Sequence, residues 1–293
     1  MKIAISQLIF ILCLAALAAG FFGCTVKHRS KGRLANRRLL NWVCVYSRDA
    51  SPTEIAKFDL AVLDSDAHPE LRNLSRTGTI LIGYVSLGEA AEYRTYWPNV
   101  VGKSWLLDKN PNWDSYFVDV RAEEWHRVLT EKIIPGILQK GFDGLFLDTI
   151  DTAEYLEKYH PDGKYPGAQA AMVKLIKRIR QKFPKVFILG NRGFSILDET
   201  GRWLDGVVAE SVFSTLDFER DTVRVRSEQE YAKEIALLQR AKNKFGLEVF
   251  TLDYLPPAND NQIQAVIARS RSLGFLPYIS TKELDRIYSY TLE

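Results

Sequence analysis

The sequence predicts an α/β fold, a single (β/α)8 TIM barrel, and three observations predict it. From residue 40 onward, short runs of β-branched and aromatic residues alternate with segments of helical periodicity. The runs are apolar almost continuously rather than at every second residue, which marks parallel strands buried on both faces. Most of them also finish in polar side chains, and in barrels of this kind the C-terminal strand ends carry the chemistry. Strands are expected at 42–47, 60–65, 80–87, 144–151, 186–192, 206–211, 248–254 and 276–281, and helices most clearly at 122–139, 168–182, 228–243 and 259–272. A chain of 293 residues is long enough to close such a barrel as one domain.

Three stretches divide the chain: residues 1–23, 24–39 and the barrel domain 40–293. The first has a positive start, Met1-Lys2, an apolar run over 3–19 broken only by Ser6 and Gln7, and small residues after it. That is the layout of a secretory signal peptide, and the run is shorter than the ~20 residues a spanning helix needs. Gly23-Cys24 resembles a bacterial lipobox, which implies a lipidated Cys24 and a membrane-anchored lipoprotein; cleavage near Ala19 or Gly20 and free secretion is the competing reading. The second stretch is a basic tether. Residues 27–38 hold Lys27, Arg29, Lys31, Arg33, Arg37 and Arg38 with no acid, and taking these six and Lys2 from the 39 basic residues leaves 32 against 36 acidic ones. The body is therefore acidic, and the tether suits either solvent or anionic headgroups. Nucleic-acid binding is not expected, because no recognised module accompanies the charge. Cys13 leaves with the signal, and Cys44, within the apolar run Trp42-Val43-Cys44-Val45, is expected as a buried structural thiol.

The long irregular segment 90–119 carries Tyr93, Tyr96, Trp97, Trp105, Trp113 and Tyr116 among Pro and Asn residues. A loop of this length is usually functional, and its aromatic faces suit sugar stacking; a self-packed loop with its own small core is the alternative. The strand ends supply Tyr46, Asp64, Ser86, Glu89, Asp148, Asp151, Asn191, Arg192, Glu210, Asp253, Tyr254 and Ser280. Single members, Asp49, Ser51 and Asp151 among them, also suit helix N-caps.

Carboxylates are the reactive groups this rim offers. The histidines, His28, His68, His126 and His160, lie away from strand ends, so no zinc-type metal site is expected, although a carboxylate-only magnesium site stays open. No cofactor is implied: serine-elbow, Walker A and G-x-G-x-x-G motifs are missing. Two carboxylates flanking a scissile bond are the minimum apparatus of glycoside hydrolysis. Asp148 and Glu210 are the best pair, each closing a run of four apolar or small residues on alternate strands, the fourth and sixth. The competing reading is a structural ion pair with Arg192 or Lys282.

Four blocks resemble glycoside hydrolase family 114, the endo-α-1,4-polygalactosaminidases and their barrel relatives. They are Gly83-Tyr84-Val85-Ser86-Leu87-Gly88-Glu89, Gly141 through Asp151, Asn191-Arg192-Gly193-Phe194 and Val208-Ala209-Glu210-Ser211. The resemblance spans residues 40–290. It implies an endo-acting enzyme on α-1,4-linked galactosamine polymers such as biofilm exopolysaccharides, with Asp148 as nucleophile, Glu210 as general acid/base, and retention of configuration. Tyr46, Asp64, Tyr84, Ser86, Glu89, Asp151, Asn191, Arg192, Asp253 and Tyr254 are the expected substrate contacts. A rival of another class is a non-catalytic carbohydrate-binding barrel lipoprotein, which would keep the aromatics of residues 93–116 and need not keep both carboxylates.

Overall fold

A computed structural model describes residues 37–161, 163, 165–217 and 222–292; the expected signal peptide, Cys24 and the tether up to residue 36 lie outside these. Eight strands form one parallel sheet: β1 (Trp42–Val45), β2 (Leu60–Leu63), β3 (Ile80–Ser86), β7 (Gly144–Asp148), β8 (Phe187–Asn191), β9 (Gly206–Glu210), β12 (Glu248–Tyr254) and β13 (Leu276–Ser280), neighbouring one another in that order. Strand order follows chain order, as expected for successive parallel strands joined by crossover connections. The ladder joins every neighbour in that series. Between β13 and β1 the Trp42 indole N–H donates to the Leu276 carbonyl at 2.9 Å, and just past the two strands the Tyr46 backbone N–H donates to Leu284 at 2.7 Å.

Strand alternation turns Trp42, Phe250 and Tyr278 into the barrel, where their rings meet at 5.3 and 5.7 Å from Trp42 and fill its N-terminal half. Cys44 follows on the same face of β1. It is fully buried, and burial raises its thiol pKa far above the usual range, so it stays an inert apolar filler as the sequence suggests.

Helices Ala168–Lys182, Glu228–Phe245 and Asp260–Ser272 lie close to their expected positions. The expected helix 122–139 instead breaks into Glu123–Val128, a π-turn at Leu129–Ile133, and Ile134–Gln139. Pro135 explains the break: it has no N–H for the carbonyl of Glu131, and its ring crowds that turn. The segment 90–119 is no plain loop. Its strands β4 (Glu89–Ala90), β5 (Leu106–Lys109) and β6 (Tyr116–Val118) form an antiparallel sheet in the order β4-β6-β5. A hairpin of β10 (Ser214–Asp217) and β11 (Thr222–Val225) follows β9. The predicted strand 144–151 stops at Asp148, because Thr149 turns left-handed and Asp151 opens the helix Thr152–Lys158.

Candidate active site

Asp148 and Glu210 are the last residues of β7 and β9, and Asn191 is the last residue of β8 between them. Alternation puts all three side chains inside the barrel mouth. The Asn191 amide nitrogen donates to Asp148 Oδ1 and to Glu210 Oε1, each at 2.8 Å. Those two oxygens are therefore no farther apart than twice 2.8 Å. Two tyrosines hold the outer oxygens. Tyr84 donates to Asp148 Oδ2 at 2.7 Å, and Tyr254 donates to Glu210 Oε2 at 3.2 Å. Burial and the adjacent carboxylates keep both phenols well above their usual pKa, so each remains a donor. Tyr46 packs edge-on against Tyr84 at 5.6 Å and completes the wall.

The same three strand ends share a backbone feature. Thr149, Arg192 and Ser211, the residues immediately after Asp148, Asn191 and Glu210, have φ of 56°, 51° and 57°. A non-glycine residue there costs on the order of 1–2 kcal/mol, most of all a β-branched one. Thr149 is held by its own hydroxyl: Oγ1 accepts from the Gly88 N–H at 2.8 Å, shares a bond with Ser86 Oγ at 2.7 Å and donates to the Asp148 carbonyl at 2.7 Å. Gly88 is what lets the chain come this close, since a Cβ there would stand 2.5 Å from the Thr149 carbonyl oxygen.

The electrostatics are asymmetric. Burial, and then the charge of Asp148, push Glu210 up to about 7 despite the opposing pull of Asn191, Arg192 and Tyr254. Glu210 as a residue is half-buried rather than fully enclosed. The bonds holding Asp148 and Glu210 come from tyrosines and an asparagine. Arg192 makes its ion pair with Asp151 at 3.3 Å and reaches Glu210 only through its backbone carbonyl.

Four residues expected as substrate contacts are bonded within the protein. Both Asp64 oxygens accept from Arg94, at 2.9 and 2.7 Å, in a buried ion pair. Glu89 accepts from Asn110, Ser115 and Thr152 and pins the β4–β6 sheet to the barrel; burial raises its pKa. The Ser86 hydroxyl has its one proton for either the Glu89 carbonyl or Thr149 Oγ1, at 2.8 and 2.7 Å. Asp253 faces away from the mouth: its Oδ1 accepts from the N–H groups of Phe213 and Ser214 and the Ser214 hydroxyl, and its Oδ2 is buried without a partner. Ser280 Oγ is likewise buried and unpartnered. Among the expected contacts, Tyr46, Tyr84, Asn191, Arg192 and Tyr254 gather around the carboxylates, and Asp151 stands at their edge. Arg94, which no strand-end reading points to, lies 4.8 Å over the Tyr84 ring and so braces the donor to Asp148. Of the N-cap expectations, Ser51 caps Pro52–Ile55, whereas Asp151 occupies the N-cap position without a side-chain bond.

The aromatics of 90–119 divide. Trp105 is buried against Trp125 at 5.2 Å and Trp97 packs on Tyr116 at 5.5 Å, while Tyr93 and Trp113 are exposed. No group of three or more metal-ligating side chains occurs among the described residues, and no described helix is long and apolar enough to cross a membrane.

Known proteins share this architecture. The glycoside hydrolase domain of PelA from Pseudomonas aeruginosa superposes with a TM-score of 0.72 at 24% identity, over 86% of this chain and 100% of that one. Ega3 of Aspergillus fumigatus, solved in complex with galactosamine, superposes at 0.66 and 15% identity, over 87% and 97%. In sequence, the uncharacterized protein MJ1477 of Methanocaldococcus jannaschii is 31% identical over 89% of this chain and 75% of that protein. The model of glycoside-hydrolase family GH114 matches residues 25–293, and the chain belongs to that family.

Proposed function

We propose that this glycoside hydrolase cleaves α-1,4-linked galactosamine polymers from within, with retention, using Asp148 as nucleophile and Glu210 as general acid/base. The observation that carries the reading is the single Asn191 amide bonded to both carboxylates, which holds their nearest oxygens within twice 2.8 Å. Retaining enzymes have carboxyl groups ~5–5.5 Å apart, whereas inverting ones leave ~6.5–9.5 Å for a water. Glu210, pushed up to about 7, keeps its proton near neutrality and can deliver it to the departing glycosidic oxygen. Asp148, held by Tyr84 and Asn191, attacks the anomeric carbon as that bond breaks. Glu210, now a carboxylate, takes a proton from water, whose oxygen displaces Asp148 and restores both groups. Galactosamine as the sugar rests on family membership, on Ega3 binding galactosamine, and on an acidic body that would attract a polycation.

The test is incubation of the barrel domain with deacetylated α-1,4-galactosamine polymer, reading new reducing ends. Asp148→Asn and Glu210→Gln are each expected to lower turnover by ~100- to 10,000-fold with the fold retained. Wild-type turnover in both variants overturns the assignment, and a collapsed Tm in either restores a structural role for that residue. We also propose that the chain is exported and anchored through lipid on Cys24. An intact-mass spectrum showing an unmodified N-terminus at or before Phe21 defeats the anchor and leaves the catalytic reading untouched.

A further inference from the structure

A cleft of about 220 Å³ opens beside the catalytic pair, and nothing in the reaction above uses it. Its lining is Glu89, Asn110, Pro111, Asn112, Phe117, Asp151, Thr152 and Tyr155. The β4–β6 sheet and the loop 110–112 make one wall, and the helix Thr152–Lys158 makes the other. At one end stands Asp151, three residues beyond Asp148 and ion-paired to Arg192, the neighbour of Asn191. Through Asp151 the cleft borders the residues that surround the two carboxylates. It is smaller than the ~300–1,000 Å³ of pockets for drug-sized ligands, a size that suits one sugar ring.

Its chemistry is selective. No lysine, arginine or histidine belongs to the lining, while two carboxylates and two asparagines do. The carboxylates differ. Glu89 already accepts from three side chains, so it supplies negative field rather than a free acceptor. Asp151 is half-exposed, and its known partner is the Arg192 guanidinium at 3.3 Å, with burial and the Asp148 charge tending to raise its pKa. The site therefore favours a ligand that brings a positive charge. The apolar component is Tyr155, 36% exposed, with the buried Phe117 ring behind it at 5.2 Å and His160 edge-on at 6.1 Å. Held on two sides, that ring is a rigid surface for the apolar face of a pyranose.

We propose that this cleft is a sugar subsite flanking the cleavage point, which takes a hexosamine residue with a free, protonated amine. Tyr155 carries the ring and Asp151 receives the amine, shared with Arg192. The proposal rests on the galactosamine reading of the catalytic site and adds to it where along the chain an unacetylated residue is required.

The experiment uses the barrel domain carrying Glu210→Gln, titrated calorimetrically with an α-1,4-galactosamine tetramer and with its fully N-acetylated counterpart. The Glu210→Gln protein is expected to bind the free-amine tetramer more tightly. Adding Tyr155→Ala is expected to weaken both ligands by about tenfold, the worth of one aromatic face. Adding Asp151→Asn is expected to weaken only the free-amine tetramer, so that the preference between the two ligands shrinks. Unchanged affinity with Tyr155→Ala, or an undiminished amine preference with Asp151→Asn, overturns the subsite. Polymer hydrolysis by the unsubstituted domain is measured alongside. Its absence removes the galactosamine reading itself, whereas hydrolysis with indifferent Tyr155 and Asp151 variants removes the subsite alone.

Discussion

Asn191 shows what an amide does when it joins two carboxylates of the kind proposed for catalysis. A lysine or arginine there would satisfy both oxygens, but its charge would pull Glu210 far below neutrality and strip its proton. An amide donates to both sides and adds no charge. Its bond to Glu210 still favours the ionised form, and it is the largest of the effects opposing burial. Asn191→Ala therefore has two expected consequences. The carboxylates lose their common brace, and kcat/KM falls by ~100-fold. Glu210 also loses a donor to its charged form, so its pKa rises. In the proposed mechanism activity needs Glu210 protonated, so it is lost as pH rises through that pKa, and the alkaline limb of the kcat/KM profile is expected to move above about 7. A limb that stays in place or moves to lower pH would show that Asn191 does not act on Glu210.

Among the elements, the strand ends matter most, and they were also the most legible part of the sequence. A charge closing an apolar run, as in Gly144–Asp148 and Gly206–Glu210, has few reasons to exist outside a site, and both fell where expected. Asp64, Glu89 and Asp253 looked equivalent in sequence because their partners come from distant positions. Arg94 is 30 residues from Asp64, Asn110 is 21 from Glu89, and Ser214 is 39 from Asp253. Linear pattern reports that a carboxylate sits on the rim, not whether another segment has claimed it. The β4–β6 sheet escaped for a related reason: its strands are two to four residues long, too short for periodicity to show. The turn after Asp148 gives this scale its prediction. Gly88→Ala places a Cβ 2.5 Å from the Thr149 carbonyl oxygen and 2.7 Å from Thr152 Cβ, against backbone that cannot yield cheaply. The expected cost is about 2–3 kcal/mol, a Tm loss of roughly 5–10 °C. Turnover of the remaining folded enzyme should fall too, since Thr149 also fixes the Asp148 carbonyl. Calorimetry of the purified variant beside its kinetics checks both, and an unchanged Tm would mean that this approach is looser than 2.5 Å.

At the scale of the whole molecule, two carboxyls with raised pKa tie folding stability to pH. Asp253 is pushed from 3.8 up to about 6 by burial, and Glu210 up to about 7. In each case the folded chain holds the proton more tightly than the unfolded chain. Their contribution is therefore greatest below the unfolded values near 4 and is lost as pH rises through about 6 and about 7. For Asp253 the difference amounts to at most about 3 kcal/mol. Asp253→Asn keeps an oxygen for the donors of Phe213 and Ser214 and puts donor hydrogens where Oδ2 has no partner. Relative to wild type it should be stabilising at pH 8 and close to neutral at pH 4, read as the difference between two Tm–pH curves. A difference that does not grow between pH 4 and 7 would show that Asp253 is already ionised in the folded protein.

The seam of the barrel gives the molecule a mechanical polarity. β1 is laddered to β2 on one side, while on the other the Trp42 indole and the Tyr46 N–H make bonds to Leu276 and Leu284. Just before β1, Arg37 pairs with Asp59, and the Leu40 N–H donates to the same carboxylate. A tension applied through the N-terminus, such as a surface tether would transmit, reaches that clasp first and then peels one ladder beginning at Trp42. The carboxylates sit on β7 and β9, across the sheet from β1 in strand order, so a pull on the first strand would reach them through Tyr46, which directly follows β1 and packs on Tyr84.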